Sequence, residues 1–379
     1  MNSNKVAVLG GGDGAHTVAA DLTLKGFQVS LCDLPQFIDY GWLKNTMETG
    51  EIELTGAIQG VAKINLVTTD IKEALKDASI IFVVARSNAD ILFAEACAPY
   101  VEDGQIIVLV AGNCGSLVFV NTFKDKKVKK DVLLAESASM PYGCRIREPT
   151  HLGGPTHART FFITPIFAVG VFPANRTDEV ISRLKKFYSG TIAMTNVLEA
   201  GMSNPNTAAH CAPTILNVGR IERVATEKLG DFALFHEGCS ESVMRVVTAV
   251  MIERDNIFKA LGWKSAYPVS DTENIIDNIL RVCKPRAGVE EALKQKGPMG
   301  PISEARYITE DVPYGLATYS SFGKMVGIET PTINSVIQLS SVMNQVDYMA
   351  EGRTVEKLGI SGMTVKELND FLYEGTKIL

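Results

Sequence analysis

The chain contains 379 residues, of which 46% are hydrophobic and 21% are charged, and its formal net charge is −6. This composition is typical of a globular protein and excludes a disordered chain, while the length favours two domains. The acidic balance argues against a nucleic-acid partner, because no surplus of basic residues is present to neutralise phosphates. The basic run at residues 124–130 predicts a solvent-exposed turn.

The seven cysteines are scattered along the chain, without a Cys-x-x-Cys pair or the spacing of a metal site. Such a set predicts free thiols in a reducing compartment, so we expect a cytoplasmic protein without a bound metal. No apolar run has the length of a membrane span, and no signal peptide precedes the first predicted strand. A membrane partner is therefore not expected.

The first predicted elements form a β-α-β unit. Residues 6–9 are a short apolar run bounded by glycines, which is typical of a buried parallel strand. Apolar residues at helical spacing then predict a helix that ends at Gly26. Residues 27–31 predict a second strand, which leads to Asp33.

The turn between the first strand and the helix fits the motif G-x-G-x-x-[GA]. Gly10 allows a tight turn, Gly12 lets the backbone approach a pyrophosphate, and Ala15 lets helix and strand pack closely. The start of the helix, with Asp13 and Gly14, offers free N–H groups and a positive dipole end to a phosphate. The motif predicts a dinucleotide site, and a glycine turn that serves only packing is the alternative.

Asp33 bears on the kind of dinucleotide. A carboxylate at the end of the second strand accepts hydrogen bonds from the adenine ribose. It would repel a 2′-phosphate, and no arginine follows it in the sequence DLPQF. We therefore favour NAD(H) over NADP(H) as the cofactor.

Three further apolar runs predict buried strands, at residues 78–85, 105–112 and 131–137. Ligands of an open α/β sheet bind at the carboxyl ends of its strands, so the residues there are further candidates. Ala85, Arg86 and Gly112 are expected near the cofactor. Glu136 is a candidate for contact with a substrate amine or a cationic side chain, and a simple loop position is the alternative.

The rest of the chain completes two domains. Residues 159–173 are rich in β-forming residues, and residues 177–187 predict the last helix of the first domain. Downstream patterns are mostly helical and long, which predicts an all-α domain. We expect a dinucleotide-binding domain at residues 1–195 and a helical substrate domain at residues 196–379. The fold class is therefore α/β, with a parallel-sheet domain followed by an all-α domain.

Residues 203–217 predict a helix of unusual character. Its filling is small and apolar, as in a buried helix, but polar residues recur along one face, namely Asn206, His210, Thr214 and Asn217. Ser203 or Asn204 is expected to cap the helix, and Pro213 to kink it just past His210. A kinked turn beside a histidine is suited to a ligand, and a histidine bonded within the core is the alternative.

Arg306 and Asp311 flank a short β-rich segment, and the Val-Pro pair after Asp311 predicts an extended connection to the next helix. Arginine offers a planar fork that suits a carboxylate, and aspartate can bond one ring nitrogen of a histidine. These two residues are therefore candidates for a site with His210. An exposed ion pair and a helix cap are the alternative.

Four motifs, in this order, resemble the octopine/nopaline (opine) dehydrogenase family: the glycine turn GGGDGAH, AESASMPYGCR, NPNTAAHCAPTILN and RYITEDVPYGL. The resemblance covers nearly the whole chain. It implies a Rossmann domain followed by a helical domain related to that of 6-phosphogluconate dehydrogenase. It also implies a reaction, in which the amine of an L-amino acid condenses with a 2-oxo acid, often pyruvate, and NAD(P)H reduces the imine to an N-(carboxyalkyl) amino acid.

The resemblance also assigns roles to residues of this chain. The catalytic histidine and aspartate of the family would be His210 and Asp311, and the arginine that holds the oxo-acid carboxylate would be Arg306. Asn206 and Asn217 are candidates for hydrogen bonds to substrate or between helices.

The chain departs from the family pattern at three places. Asp13 stands where asparagine or a similar residue is common, SMPYG at residues 139–143 stands where TLPYA is usual, and the proline after His210 comes only at Pro213. These departures leave the His–Asp pair intact and leave the amino-acid specificity open.

Two other functions fit the same architecture. One is a 2-oxo acid or ketone reductase that resembles ketopantoate reductases, which rely on a lysine acid in place of the His–Asp pair. The other is an NAD(H)-binding regulator without turnover. The helical domain also offers a surface for a homodimer.

Overall fold

The computed structural model describes residues 2–39, 41–149, 151–227, 230–269, 286–297 and 300–375. They form two compact units. The first unit contains the described residues up to Gly201, together with 286–288 and 371–375. The second unit contains the other described residues, from Met202 to Asp370.

The strands of the described residues all lie in the first unit. They are β1 (Asn2–Leu9), β2 (Gln28–Cys32), β3 (Glu51–Gly56), β4 (Gly60–Lys63), β5 (Leu66–Thr68), β6 (Ala78–Val83), β7 (Ile106–Val110), β8 (Leu133–Ser137), β9 (Tyr142–Arg147), β10 (Thr156–Ile163), β11 (Phe167–Phe172) and β12 (Thr191–Ala193).

The helices between these strands are mostly short. They are α1 (Asp13–Leu24), α2 (Leu43–Thr49), α3 (Ile71–Leu75), α4 (Asp90–Cys97), α5 (Gly115–Asp125), α6 (Thr177–Leu184) and α7 (Val197–Met202), with 3-10 turns at Pro35–Phe37, Ser87–Ala89 and Ala174–Arg176. The basic run at residues 124–130 begins in the last turn of α5 and continues beyond it, and its lysines are exposed, as predicted.

An eight-stranded sheet of order β12-β11-β8-β7-β6-β1-β2-β5 forms the centre of the first unit. The strands from β8 to β5 run parallel, and Val8 of β1 lies opposite Leu31 on one side and Phe82 on the other. The strand order therefore reverses at β1, which is where ligands bind in sheets of this type. The predicted Rossmann-type parallel sheet is confirmed.

The parallel strands are buried because helices cover the sheet. Every residue of β6, β7 and β8 is buried, which explains why their sequences are continuous apolar runs rather than alternating ones. On α1, the predicted apolar positions Ala15, Val18 and Leu22 are fully buried. Burying a side chain such as Val or Leu contributes about 1.5–3 kcal/mol, so this helix is fixed mainly by its packing on the sheet.

The structure divides residues 159–173, which the sequence predicted as one β-rich stretch. That stretch is divided between two strands in different sheets, β10 and β11. β11 runs antiparallel to β8, with Gly170 opposite Glu136, and β12 pairs with β11 in parallel.

A second sheet, of order β4-β3-β10-β9, was not predicted from the sequence. Its inner face contributes Ile52, Leu54, Ala62, Ile146 and Ala158 to the core that also holds α1 and the large sheet. β3 alternates buried and less buried positions, as expected for a sheet with one face on the core. β3 pairs in parallel with β10, which lies far away along the chain.

The elements that follow are helical, and no strand occurs in the described residues after Ala193. They are α8 (Asn206–Leu216), α9 (Val218–Glu227), α10 (Leu234–Glu237), α11 (Glu241–Leu261), α12 (Arg286–Leu293), the 3-10 turn Ile302–Glu304, α13 (Arg306–Thr309), the π-helix Val312–Leu316, α14 (Ala317–Val326), α15 (Pro331–Asn344), α16 (Tyr348–Glu351) and α17 (Val365–Glu374). The predicted all-α character is confirmed. None of the described helices is long and apolar enough to cross a membrane.

The start of α8 agrees with the predicted capping by Asn204. The helix is assigned from Asn206, but Pro205 already has helical dihedral angles, φ −70° and ψ −22°, as a proline in the first turn does. The Asn204 side chain accepts a hydrogen bond from the backbone N–H of Asn206, at 3.0 Å, which is the bond of a capping residue. The helix continues through Pro213 to Leu216.

The segment from Arg306 to Leu316 also differs from the prediction. It is helical, as α13 and the π-helix, whereas the sequence predicted an extended connection. Asp311 itself has a right-handed helical conformation. The π-helix accommodates Pro313 in its first turn, where the missing N–H of a proline costs little.

Glu253, in the middle of α11, holds the start of α15. Its two carboxylate oxygens accept hydrogen bonds from the backbone N–H groups of Thr332 and Ile333, at 2.8 and 2.9 Å. The side chain is buried, and it supplies a negative charge at the positive end of the α15 dipole. The packing of α11 against α15 therefore depends on a polar contact as well as on apolar burial.

We expect Glu253→Gln to lower the free energy of unfolding by about 1–3 kcal/mol, because a glutamine has only one side-chain oxygen and leaves a buried N–H without an acceptor. Urea-induced unfolding measures this change. Glu241→Gln, at an exposed position near the start of the same helix, is the matched control and should change stability by less than about 0.5 kcal/mol. Equal stability of the two variants would contradict the role of Glu253.

Candidate functional site

The glycine turn lies at the end of β1, between the ends of β2 and β6. The backbone N–H of Gly10 donates to the carbonyl of Cys32 at 2.7 Å, and that of Val84 donates to the carbonyl of Leu9 at 2.8 Å. Gly10 has a φ of +127°, and a Cβ at this residue would lie 2.3 Å from the carbonyl oxygen of Val84. Only glycine can make this turn.

The space in front of the first turn of α1 is open. Gly12 precedes the helix, is exposed, and makes no side-chain capping bond, and no atom lies within 4 Å of the position that a Cβ would occupy there. Ala15 is fully buried behind it. An open helix N-terminus with N–H groups and a positive dipole fits the phosphates of a dinucleotide.

Asp13 is the acid that departs from the family pattern, and the structure shows how it is accommodated. Its Oδ1 accepts a hydrogen bond from the backbone N–H of Ile146 at 3.1 Å, and its Oδ2 lies 3.6 Å from Nη1 of Arg145. The carboxylate is therefore held by β9. Gly14 has a packing role, since a Cβ there would lie 2.7 Å from Cε of Met140.

Asp33 follows β2, and its carboxyl group is almost completely buried. Oδ1 accepts a hydrogen bond from the backbone N–H of Leu34 at 2.8 Å. Burial raises the pKa of Asp33 to about 6, and the Leu34 N–H opposes this by favouring the charged form. The group is therefore a carboxylate at neutral pH, but one that takes up a proton in mild acid.

The carboxyl ends of β6 and β7 lie next to each other in the sheet. Arg86 is exposed and Ala85 is partly buried, and Gly112 is buried against Leu109 and Glu136. Contact of Ala85, Arg86 and Gly112 with the cofactor stays a prediction.

The turn after β7 is strained, which the sequence analysis missed. Three residues that are not glycine have left-handed backbone conformations, with φ of 58° at Ala111, 49° at Asn113 and 68° at Cys114. Such residues cost about 1–3 kcal/mol each and persist where the surroundings fix them, commonly at functional sites. Here the Ser137 hydroxyl accepts from the Ala111 N–H, at 3.0 Å. A sequence signal exists only at Asn113, because asparagine tolerates this conformation.

Glu136 has a different role from the predicted one. It lies in β8 rather than in a loop, and its side chain is fully buried. Its carboxylate oxygens accept hydrogen bonds from the N–H groups of Cys114 and Ser116, at 2.5 and 3.0 Å. The carboxylate thus holds the start of α5, and it is not placed to meet a substrate amine.

His210 and Asp311 come together in the second unit. Nδ1 of His210, on α8, lies 2.9 Å from Oδ2 of Asp311, which directly precedes the π-helix. Both residues are buried, with 6% and 4% of their surface exposed. Because a carboxylate only accepts hydrogen bonds, Nδ1 carries the proton and Nε2 is the atom available for chemistry. Nε2 has no hydrogen-bond partner among the described residues.

Aromatic rings fix the plane of the His210 imidazole. The ring of Tyr307 stacks on it, with centroids 3.8 Å apart and planes 14° from parallel. Phe235 of α10 lies at 5.9 Å. Tyr307 was not identified from the sequence, although its place next to Arg306 in the RYITED motif was a usable signal. These contacts leave the imidazole little freedom to rotate.

Arg306 begins α13, and its side chain is half exposed. Its Nε lies 3.6 Å from Oε2 of Glu310, and its guanidinium lies 6.0 Å from the centroid of the Tyr307 ring. The Tyr307 ring is thus near both His210 and Arg306. These two predicted site residues are therefore connected through Tyr307, which was not predicted.

The two predicted asparagines of α8 have different positions. The side-chain amide of Asn217 donates to the carbonyls of Pro213 and Gly238, at 2.8 and 2.9 Å, which favours the helix-helix alternative over a substrate contact. Asn206 is partly exposed, one turn before His210.

The π-helix brings Asp311 close to α8. A Cβ at Gly315 would lie 2.5 Å from Cγ2 of Thr207, so only glycine allows this approach. The buried hydroxyls of Thr207 and Thr214 have no hydrogen-bond partner in the described part of the chain. Single π-turns are common at functional sites. The described residues contain no group of three or more His, Cys, Asp or Glu side chains that could hold a metal ion.

Comparison with known proteins agrees with both units. Residues 193–344 match the family model described as the NAD/NADP octopine/nopaline dehydrogenase, alpha-helical domain. An opine dehydrogenase of Arthrobacter sp. (strain 1C) is 31% identical over 378 residues, which cover 96% of this chain and 97% of the relative.

Solved structures show the same fold. An octopine dehydrogenase with NADH and L-arginine has a TM-score of 0.69 at 19% identity, over 98% of both chains. A yersinopine dehydrogenase with bound NADP+ has a TM-score of 0.65 at 13% identity, over 99% of both chains. The chain therefore belongs to the opine dehydrogenase family and is an oxidoreductase that acts on CH–NH donors.

Proposed function

We propose that this enzyme condenses the amine of an L-amino acid with a 2-oxo acid and reduces the imine with NADH to an N-(carboxyalkyl) amino acid. The observation that carries the proposal is the buried hydrogen bond between His210 and Asp311. Structures of octopine dehydrogenase were solved with NADH and L-arginine and with NADH and pyruvate, which supports these substrate classes.

The residues of the first unit fit a dinucleotide, and we assign its binding to them. Gly10, Gly12 and the start of α1 would hold the pyrophosphate, and Asp33 would accept hydrogen bonds from the adenine ribose. When bound, the reduced cofactor supplies the hydride. NAD(H) is favoured over NADP(H), because a carboxylate repels a 2′-phosphate, although the yersinopine dehydrogenase structure holds NADP+.

Arg306 would bind the carboxylate of the 2-oxo acid. Its side chain is half exposed and lies beside Glu310, and two parallel N–H···O bonds from its guanidinium would orient the carboxylate of the substrate. Holding one end of the substrate fixes the position of its carbonyl carbon, which is the main contribution of a binding residue to rate.

His210 would move the proton. Formation of the imine requires a proton for the departing hydroxyl, and Nε2 can give a proton and take it back. The Asp311 carboxylate stabilises the imidazolium form and keeps Nδ1 protonated in either state. Asn206, one turn away and partly exposed, is a candidate for a hydrogen bond to substrate.

NADH oxidation by the purified enzyme tests the reaction. We expect turnover with pyruvate only when an L-amino acid is present, and a panel of amino acids would identify the second substrate. Oxidation without any amine would favour a 2-oxo acid reductase of the ketopantoate reductase type. Absence of turnover with every mixture would favour an NAD(H)-binding regulator.

His210→Ala should lower kcat by about 10²- to 10⁴-fold, which is the usual contribution of a general acid–base. Asp311→Asn should also lower kcat, because an asparagine oxygen stabilises the imidazolium less well than a carboxylate. His236→Ala removes an exposed histidine from the same unit and is the control. Wild-type turnover by the His210 variant would show that another group moves the proton.

Tyr307→Leu should lower kcat by about tenfold or more, because the imidazole loses the ring that fixes its plane. Tyr307→Phe keeps the stacked ring and should retain most of the rate. Steady-state kinetics with both variants measure this difference, and thermal unfolding checks that each is folded. A comparable loss in both variants would mean that the hydroxyl group, rather than stacking, is important.

The affinity for NAD+ should depend on pH through Asp33. Its pKa of about 6 in the free enzyme means that the carboxyl group is mostly protonated at pH 5, and only the carboxylate offers both oxygens and a negative charge to the ribose hydroxyls. We expect the Kd for NAD+ to be about tenfold higher at pH 5 than at pH 7. Calorimetric titration measures it, and Asp33→Asn should bind more weakly with no such dependence. A flat wild-type profile would contradict this assignment.

We also propose a homodimer and a cytoplasmic location. α15 has no charged residue and exposes Leu339, Val342 and Met343, which is the composition of a protein interface rather than of free surface.

The six cysteines in the described part of the chain are free thiols, which supports a reducing compartment. Sedimentation equilibrium and cell fractionation measure these two properties.

A further inference from the structure

We propose that Gly11, the variable position of the glycine motif, determines the cofactor specificity by allowing the Asp33 carboxylate its place. The inference rests on the proposed role of Asp33 in favouring NAD(H). It concerns a residue that the motif itself leaves open, since the motif requires glycine at positions 10 and 12 and not between them.

The contact between these residues is close. A Cβ on Gly11 would lie 2.4 Å from Oδ2 of Asp33, 3.3 Å from Cγ and 3.5 Å from Cβ. Distances below 3.0 Å essentially do not occur for a real Cβ, so one of the two residues would have to move. A methyl group at position 11 and the present carboxylate position therefore exclude each other.

The backbone of the glycine turn is held by hydrogen bonds. The carbonyl oxygen of Gly11 accepts one from the Trp42 N–H at 3.4 Å, and the N–H of Gly10 donates one to the carbonyl of Cys32 at 2.7 Å. A shift of Gly11 away from Asp33 would disturb both of these hydrogen bonds.

The Asp33 carboxylate is the part that can move. One oxygen, Oδ1, is fixed by the Leu34 N–H at 2.8 Å, and the other, Oδ2, is the atom that meets position 11. Rotation of the carboxylate away from Gly11 would break the Leu34 hydrogen bond. A side chain at position 11 is therefore expected to act on Asp33 before it disturbs the fold.

This displacement has opposite consequences for the two cofactors. A carboxylate in the wrong orientation loses its hydrogen bonds to the ribose hydroxyls of NAD+, which weakens binding. The same displacement reduces the repulsion of a 2′-phosphate, so NADP+ is affected less or gains affinity. A side chain at position 11 would thus change the ratio of the Kd values for NAD+ and NADP+, rather than raise both by the same factor.

Gly12 is the matched control, because nothing lies within 4 Å of a Cβ at that position. A methyl group there meets no protein atom and would act only on a bound pyrophosphate, which both cofactors share. Gly12→Ala should therefore weaken NAD+ and NADP+ by the same factor, whereas Gly11→Ala should change their ratio.

The test is calorimetric titration of NAD+ and NADP+ into the wild type, G11A, D33A, G11A/D33A and G12A. We expect G11A to raise the Kd for NAD+ by about tenfold and to lower the preference for NAD+ over NADP+ by a similar factor. In the D33A background, G11A should change neither Kd, because the clash has been removed. An equal effect of G11A with and without Asp33 would overturn the inference, as it would indicate a direct clash with the cofactor.

The same set separates failure of the inference from failure of the proposed role of Asp33. If D33A leaves the NAD+/NADP+ ratio unchanged, Asp33 does not select the cofactor, and both fail. If D33A changes the ratio but G11A does not, only the inference fails. Should G11A not fold, recovery of folding in G11A/D33A would support the contact, and its absence would overturn it.

Discussion

Backbone N–H groups at the start of a helix need acceptors, and the way this protein supplies them organises much of its structure. Glu136 of β8 and Glu253 of α11 carry carboxylates from distant parts of the chain to the starts of α5 and α15. Each carboxylate is buried and joins two elements. The start of α1 is different, because Gly12 has no side chain and the Asp13 carboxylate is bound to β9. The site suited to phosphate is the helix start whose capping position offers no side chain.

In the second unit, the candidate site depends on a long-range contact between two side chains. His210 and Asp311 are 101 positions apart in sequence, and a single hydrogen bond joins them. Arg306 and Tyr307 lie on α13, shortly before Asp311, so the helical path of this segment places Tyr307 and Asp311 against the imidazole and Arg306 beside the Tyr307 ring. The proposed acid–base residue, His210, and the candidate carboxylate ligand, Arg306, thus both have neighbours on one short stretch of chain.

Local sequence patterns predicted the features that are themselves local. The apolar runs and the glycine turn identified the parallel sheet. The polar face of α8 identified His210 as a candidate without reference to Asp311, its hydrogen-bond partner in the structure. The second sheet was missed because β3 pairs with β10, which no local pattern indicates. Glu136 was misassigned because the N–H groups that donate to its carboxylate lie at the start of another element. The segment from 306 to 316 was misassigned because tertiary contacts override the preference for an extended residue before proline. The motif around Arg306 marked the position of Tyr307, but the stacking of its ring on His210 became visible only in the structure.

The parallel pairing of β3 with β10 also orders events during synthesis. Ile52 lies opposite Thr156, so β3 and β4 leave the ribosome long before the strand that completes their sheet. Until β10 arrives, the edge of β3 that pairs with it has no partner strand. Distant pairings of this kind slow folding and expose strand edges to other chains. The β3 edge of the nascent enzyme is therefore exposed to pairing with other chains until β10 has been synthesised.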